Sequence, residues 1–103
     1  MNSGMDIRHV FITSTNLAVL ERSSLRALAS KLDILDLPQN LLQNIPSEAL
    51  RPLLQTRTLN IPHNNISYIG DKAFEGMESL HRLSLYGNII SRIEPNAFKG
   101  VER

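Results

Sequence analysis

Apolar and polar positions along the chain repeat with a fixed period. Three segments align without a gap when they are written from Leu35, Leu59 and Leu83, so that 24 residues separate each start from the next. Each segment opens with an apolar residue, a polar residue and a second apolar residue. This alternation predicts a short β-strand with one buried face. Positions are numbered below as offsets from the first apolar residue of each strand.

Other residue types recur at fixed offsets as well. Apolar residues occupy offsets −3, 0, +2, +7, +10, +15 and +18. A degenerate copy lies upstream when Val10 is taken as offset zero, with Thr15 where the other copies have asparagine. Over four copies 27 of these 28 positions are apolar, with Thr56 as the exception, although only 42% of the whole chain is apolar. The periodicity therefore indicates a repeat architecture rather than coincidence.

A single short strand cannot bury its apolar face alone, so the copies are expected to stack into a parallel sheet. The return segments run from +7 to +18 and contain Pro52, Gly76 and Gly100 at offset +17, which favours short turns or 3₁₀ and α pieces over long helices. The predicted fold class is an α/β solenoid of about four repeats. Its single domain, 1–103, divides into a degenerate repeat at 7–31 and regular repeats at 32–55, 56–79 and 80–103.

The pattern LxxLxLxxNxLxxIxxxAFxxL resembles the leucine-rich repeat, strongly over residues 32–103 and weakly over 7–31. The 24-residue length and the Ala-Phe pairs at 73–74 and 97–98 resemble the "typical" subclass. That subclass is found mainly in extracellular receptors and matrix proteins, such as Toll-like receptors, chaoptin and small leucine-rich proteoglycans. The resemblance implies an arc whose concave face carries the sheet and binds a protein or peptide.

Asparagines at offset +5 have a structural explanation. Where the chain leaves a strand and turns, backbone groups lose their ladder partners, and an amide side chain can both donate to them and accept from them. Asn40, Asn64 and Asn88 are therefore predicted to form a structural ladder. Asn65, one position later, is predicted to face solvent, and it begins the N-x-S/T triplet Asn65-Ile66-Ser67. We expect it to be a glycosylation site if the protein is secreted, and otherwise an exposed turn residue.

The exposed face of the sheet is the candidate binding surface. Equal offsets lie side by side in stacked strands, so the outward positions −1, +1 and +3 form rows across the sheet. Aromatic and arginine side chains concentrate binding energy at protein interfaces, although each residue could equally be an ordinary solvent-exposed one. The predicted protein-binding residues are Phe11, Asp36, Asn60, Arg82, Ser84 and Tyr86.

Nothing in the sequence predicts catalysis or a cofactor. His9, His63 and His81 fall at offsets −1, +4 and −2, which gives neither metal-ligand spacing nor a catalytic triad. The net charge is +1, and lysines and arginines are scattered among as many acids, so we expect no nucleic-acid binding. The chain has no cysteine and no apolar run of membrane-spanning length, so we expect no disulfide framework and no membrane contact by this segment.

Two function classes follow, with an enzyme a distant third. The first is an extracellular or cell-surface recognition or adhesion module within a receptor ectodomain or matrix glycoprotein, favoured by the repeat type. The alternative is a cytoplasmic scaffold or regulatory protein, favoured by the missing signal peptide and cysteines. Because extracellular relatives usually carry cysteine-rich caps, we expect the chain to be a fragment of a longer protein. Otherwise it could form a homodimer through its uncapped repeat ends.

Overall fold

Short strands at equal offsets form the framework of the molecule. The computed structural model describes residues 8–11, 30–39 and 41–101. Four of the strands form one parallel sheet in the order β1-β2-β3-β5, and β4 and β6 form a second parallel pair. The elements, in chain order, are β1 (His9–Phe11), β2 (Ile34–Asp36), α1 (Ser47–Leu50), β3 (Thr58–Asn60), β4 (Tyr68–Ile69), β5 (Arg82–Ser84) and β6 (Arg92–Ile93).

The strands of the larger sheet pair in the register that the sequence period predicts. Val10 pairs with Leu35, Leu35 with Leu59, and Leu59 with Leu83. The interval from Val10 to Leu35 is one residue longer than the others, yet the register does not slip. A slip of one residue would turn every apolar side chain to the opposite face. The predicted parallel sheet is thus confirmed for the described strands, whereas the solenoid of four repeats over the whole chain stays a prediction.

Inward positions of the repeat build one continuous core. The residues at offsets 0 and +2 of β2 and β3 are fully buried, and the side chains at +7, +15 and +18 of the same two repeats close over them. At the edge strand β5 the equivalent Leu83 and Leu85 are only half-buried. The fully buried members at these offsets are Leu35, Leu37, Leu42, Leu50, Leu53, Leu59, Ile61, Ile66, Phe74 and Met77.

Thr56, the single polar residue among the inward positions, is also fully buried. Its Oγ1 donates a hydrogen bond to the carbonyl oxygen of Leu32 at 2.9 Å. Leu32 occupies the same offset one repeat earlier, so the bond ties neighbouring repeats together. Since a buried hydroxyl is tolerated when it has a partner, the sequence exception is not a packing defect.

Return segments are short, as the prolines and glycines predict, but they also contain a second pair of strands that the repeat pattern does not predict. Among the described return segments, the one at 47–53 contains the single turn of helix α1, and the helix positions of the next two consist of turns. Near offset +10, β4 and β6 pair in parallel, with Tyr68 opposite Arg92 and Ile69 opposite Ile93. Stacking brings equal offsets side by side, so backbone groups there can pair even in segments of two residues. In residues 8–11, 30–39 and 41–101, no helix is long and apolar enough to cross a bilayer.

Candidate functional site

The chain leaves each sheet strand through a residue with left-handed backbone geometry. Offset +4 has φ of 56° at Gln39, 56° at His63 and 79° at Gly87. Side chains with a Cβ disfavour this region by about 1–2 kcal/mol per residue, and glycine does not. Because glutamine, histidine and glycine share no obvious property, residue type alone does not indicate this requirement. His63 therefore occupies a turn position, and its ring projects from the exposed end of the strand.

Asn64 closes this turn from inside. Its Nδ2 donates to the carbonyl oxygens of Leu37 at 2.8 Å and Pro62 at 3.1 Å, and its Oδ1 accepts from the N–H of Leu42 at 3.3 Å. The side chain is buried, with 5% of its surface exposed. One amide therefore satisfies three backbone groups, two of which belong to the preceding repeat.

Asn88 makes the equivalent set of bonds one repeat later. Its Nδ2 donates to the carbonyl oxygens of Ile61 at 2.7 Å and Leu85 at 3.0 Å, and its Oδ1 accepts from the N–H of Ile66 at 3.1 Å. It is only half-buried, as expected beside the edge strand. The third residue of the predicted ladder, Asn40, lies outside the described residues.

Asn65 has the opposite surroundings. It is exposed, and its backbone N–H donates to the carbonyl oxygen of Leu42 at 2.9 Å. Within the described part of the chain its side chain makes no hydrogen bond. Ile66, the middle residue of the N-x-S/T triplet, is buried, so the backbone on the C-terminal side of Asn65 is held firmly. The amide nitrogen of Asn65 therefore faces solvent from an ordered turn.

Polar residues on the exposed sheet face interact laterally across three strands. Phe11, Asp36, Asn60 and Ser84 are register partners and form one row. Asp36 accepts a hydrogen bond from Asn60 Nδ2 at 2.5 Å through one oxygen and is bonded to His9 Nε2 through the other. Three adjacent strands thus fix the orientation of the Asp36 carboxylate. The sequence placed His9 in the outward row at −1 but did not predict this contact.

Large aromatic side chains stand at the two ends of this face. Phe11 on β1 is 62% exposed, and Tyr86, two residues beyond β5, is 73% exposed. The His63 ring packs edge-on against the Tyr86 ring, with 5.3 Å between the ring centroids and 86° between the planes. Three strand spacings, about 15 Å, separate the ends of the row, so the two aromatics do not touch.

The remaining predicted face residues lie along β5. Ser84 is half-buried in the central row, and Arg82 is exposed at the beginning of the strand. Arg82 and Tyr86 are thus on the same face but at opposite ends of one strand. Together the six residues form what we call the sheet-face site: Phe11, Asp36, Asn60, Arg82, Ser84 and Tyr86.

Histidines do not meet in space. His9 contacts Asp36, His63 contacts Tyr86, and His81 Nδ1 lies 2.6 Å from the carbonyl oxygen of Ser79. No group of three or more potential metal-ligating side chains is found among the residues that the structure describes.

A separate polar cluster joins β4 to β6, away from the sheet-face site. Arg92 Nε donates to Glu94 Oε2 at 2.8 Å, and the Tyr68 hydroxyl also donates to Glu94. The hydrogen bonds from Arg92 and Tyr68 lower the pKa of Glu94 below its ordinary value. The same bond to the carboxylate, with some desolvation, raises the pKa of Tyr68. Both shifts stabilise the protonation states that prevail at neutral pH, a neutral Tyr68 and an ionised Glu94, so the cluster has a structural role in linking β4 to β6.

Comparison with known proteins supports the repeat assignment. Residues 54–103 match a family model described as leucine rich repeat. No curated protein matches the chain. The matched stretch contains β3 to β6, so it covers the last two predicted repeats. It supports a leucine-rich repeat and, with the parallel sheet, a solenoid-like arrangement. The 24-residue subclass and the extracellular receptor type stay predictions.

Proposed function

We propose that the chain, which contains leucine-rich repeats over residues 54–103, recognises a protein or peptide through the sheet-face site. Domains built from this repeat generally mediate protein–protein interaction. The observation that carries the proposal is the row of side chains from β1, β2, β3 and β5 on the exposed face of the sheet. Exposed Phe11 lies at one end of this face and exposed Tyr86 at the other.

Rigidity makes this surface suited to binding. Its central carboxylate, Asp36, is already oriented by His9 and Asn60, so little rotamer freedom remains to be lost when a partner binds. Tyr86 offers a large ring and a hydroxyl with few rotatable bonds, and its packing against His63 restrains it further. A partner that inserts an apolar group beside Tyr86 and a hydrogen-bond donor beside Asp36 would match both of these features.

Selection from a random peptide library displayed on phage would test the proposal. We expect peptides selected on the wild-type protein to lose binding when Asn60→Arg places a bulky cation in the middle of the row. Asn65→Arg is the matched control because it makes the same change at an exposed position outside the sheet. Equal retention of the selected peptides by both variants would place the binding surface elsewhere.

The cellular setting is part of the proposal. The 24-residue period and the exposed Asn65 triplet favour an extracellular receptor or matrix protein, with this chain as a non-enzymatic recognition segment. A cytoplasmic scaffold is the alternative. Expression in a secreting eukaryotic host, followed by peptide mass spectrometry, tests the extracellular setting. We expect a glycan on Asn65 in the wild-type protein and none after Ser67→Ala. An unmodified Asn65 in secreted protein would remove this support.

Self-association is a second proposal, favoured by apolar side chains at the last described repeat. Ile93 and Phe98 are exposed there, whereas the equivalent residues one repeat earlier, Ile69 and Phe74, are buried by stacking, and Ile89 adds a third exposed apolar side chain. A second copy could cover this surface as a homodimer. Light scattering at increasing concentration should then show a dimer that Phe98→Glu abolishes, and a monomer at all concentrations would exclude it.

A further inference from the structure

Two adjacent grooves run along the edge of the sheet where its strands begin. Their volumes are about 340 and 590 Å³, and Asp33 and Arg57 line both of them. Arg8 and Lys31 add positive charge to the first groove and Arg82 to the second. We call this surface the rim grooves. It lies at the opposite end of the strands from Tyr86.

The fold gathers basic residues that are dispersed along the sequence. The four cations that line the rim grooves, with Asp33, give 4 − 1 = +3. The whole chain has 11 − 10 = +1, so all its other residues sum to 7 − 9 = −2. Parallel stacking contributes to the gathering, since Arg8 and Arg57 both occupy offset −2, with Asp33 between them, and Arg82 occupies offset −1 on the next strand. Although lysines and arginines are scattered along the sequence, stacking brings four of them to this edge.

Backbone groups at this edge are already paired, so binding capacity lies in the side chains. The carbonyl oxygen of Asp33 accepts from the N–H groups of Arg57 and Thr58, and that of Arg57 accepts from His81 and Arg82. Arg57 is 70% exposed, and its Nε lies 4.0 Å from the nearest carboxylate oxygen of Asp33, so this ion pair is weak. In the part of the chain that the structure describes, Arg8, Lys31 and Arg82 form no salt bridge.

We propose that the rim grooves bind an acidic peptide segment of a partner protein. Guanidinium groups match carboxylates in bidentate geometry, and three of the four cations are arginines. Ile34 adds half-buried apolar surface, and Thr58 and Ser79 add hydroxyls that can bond to a peptide backbone. Among the described residues that line the grooves there is no Phe, Tyr or Trp, so these residues do not form the aromatic platform on which the bases of single-stranded nucleic acid stack.

The rim grooves share Arg82 with the sheet-face site, but Arg57 belongs to the grooves alone, so substitution of Arg57 tests them separately from the proposed function. The test is fluorescence anisotropy with a labelled glutamate-rich peptide and a matched peptide in which glutamine replaces glutamate. We expect the acidic peptide alone to bind, and its affinity to fall as salt shortens the Debye length to about 8 Å at physiological ionic strength. Arg57→Gln should weaken binding about 5- to 10-fold, a usual effect of removing one charge-pairing arginine from an interface.

Arg92→Gln is the matched control, because Arg92 is 71% exposed and also paired with one acid but lies on β6. It should leave the affinity for the acidic peptide unchanged, as should Tyr86→Ala at the sheet-face site. Equal weakening by Arg57→Gln and Arg92→Gln would overturn the proposal. So would tighter Arg57-dependent binding of heparin or of a single-stranded oligonucleotide than of the peptide.

Discussion

At the scale of single residues, two adjacent asparagines have opposite roles. Asn64 is enclosed and bonded to three backbone groups, whereas the Asn65 side chain is exposed and makes no hydrogen bond in the described part of the chain. The difference follows from position in the repeat: the side chain at offset +5 points into the turn, and the side chain at offset +6 points out of it. A structural residue and a candidate modification site thus share one dipeptide.

Replacing each asparagine with alanine should show this difference. Asn64→Ala leaves buried groups of Leu37 and Leu42 without their partner, and we expect a loss of about 2–4 kcal/mol in the free energy of unfolding. Asn65→Ala should change stability by less than about 0.5 kcal/mol. Urea denaturation followed by circular dichroism measures both. Similar losses for the two variants would mean that the turn is not held by the Asn64 amide.

At the scale of elements, close approach between return segments depends on a glycine. Gly76 has φ of 96°, and a Cβ added there would lie 2.2 Å from the backbone oxygen of Arg51 in the preceding return segment. Neither the backbone angle nor this space is compatible with an L side chain. Gly100, at the same offset one repeat later, has the same φ of 96°, but its added Cβ would meet Glu75 only at 3.7 Å, so the close approach is specific to Gly76.

Gly76→Ala should therefore destabilise the protein. The backbone angle alone accounts for at least about 1–2 kcal/mol, and displacement of the Arg51 backbone adds to it. Gly70→Ala is the control, because Gly70 has no left-handed geometry and its added Cβ would meet only the movable Tyr68 ring at 3.3 Å. Thermal unfolding of the two variants provides the measurement. A larger loss from Gly70→Ala would contradict the packing described.

The cluster of Tyr68, Arg92 and Glu94 that joins β4 to β6 predicts that stability depends on pH. Because the fold lowers the pKa of Glu94, its ionised form stabilises the protein at neutral pH, and this contribution disappears as the pH falls through the folded-state pKa. Tyr68→Phe removes one hydrogen bond to the carboxylate and should raise the pKa of Glu94. Tyr86→Phe, which changes the only other tyrosine, should not. Carbon-detected NMR titration of the glutamates would measure both, and an unmoved Glu94 pKa in Tyr68→Phe would rule out that bond.

Periodicity explains why much of this fold could be predicted. The register of β1, β2, β3 and β5 follows from offset zero alone, because one buried face specifies strand pairing strongly. Other features depend on backbone conformation or on partners in a neighbouring repeat. The left-handed turns at Gln39 and His63, the β4–β6 pair and the His9–Asp36 contact had no signature in residue type. The repeat offsets predict which residues lie on the exposed face of the sheet, but they do not predict how the side chains there are oriented.

At the scale of the whole molecule, parallel stacking creates two chemically different surfaces on one sheet. The sheet-face site presents aromatic residues around an oriented carboxylate, and the rim grooves present arginines. Both exist because equal offsets from distant parts of the chain become neighbours. A partner with an apolar anchor and an acidic flank could contact both surfaces at once, and linkage of the two contacts would raise its affinity beyond either alone.

The most direct measurement is isothermal titration calorimetry with one peptide selected on the wild-type protein. If the sheet-face site binds partners, Tyr86→Ala should weaken the affinity by about 2 kcal/mol, or roughly 30-fold, as expected for an aromatic hot-spot residue. Tyr68→Ala, which removes the other exposed tyrosine from the β4–β6 sheet, should leave the affinity unchanged. Unchanged affinity in Tyr86→Ala, or equal losses in the two variants, would contradict recognition through this face.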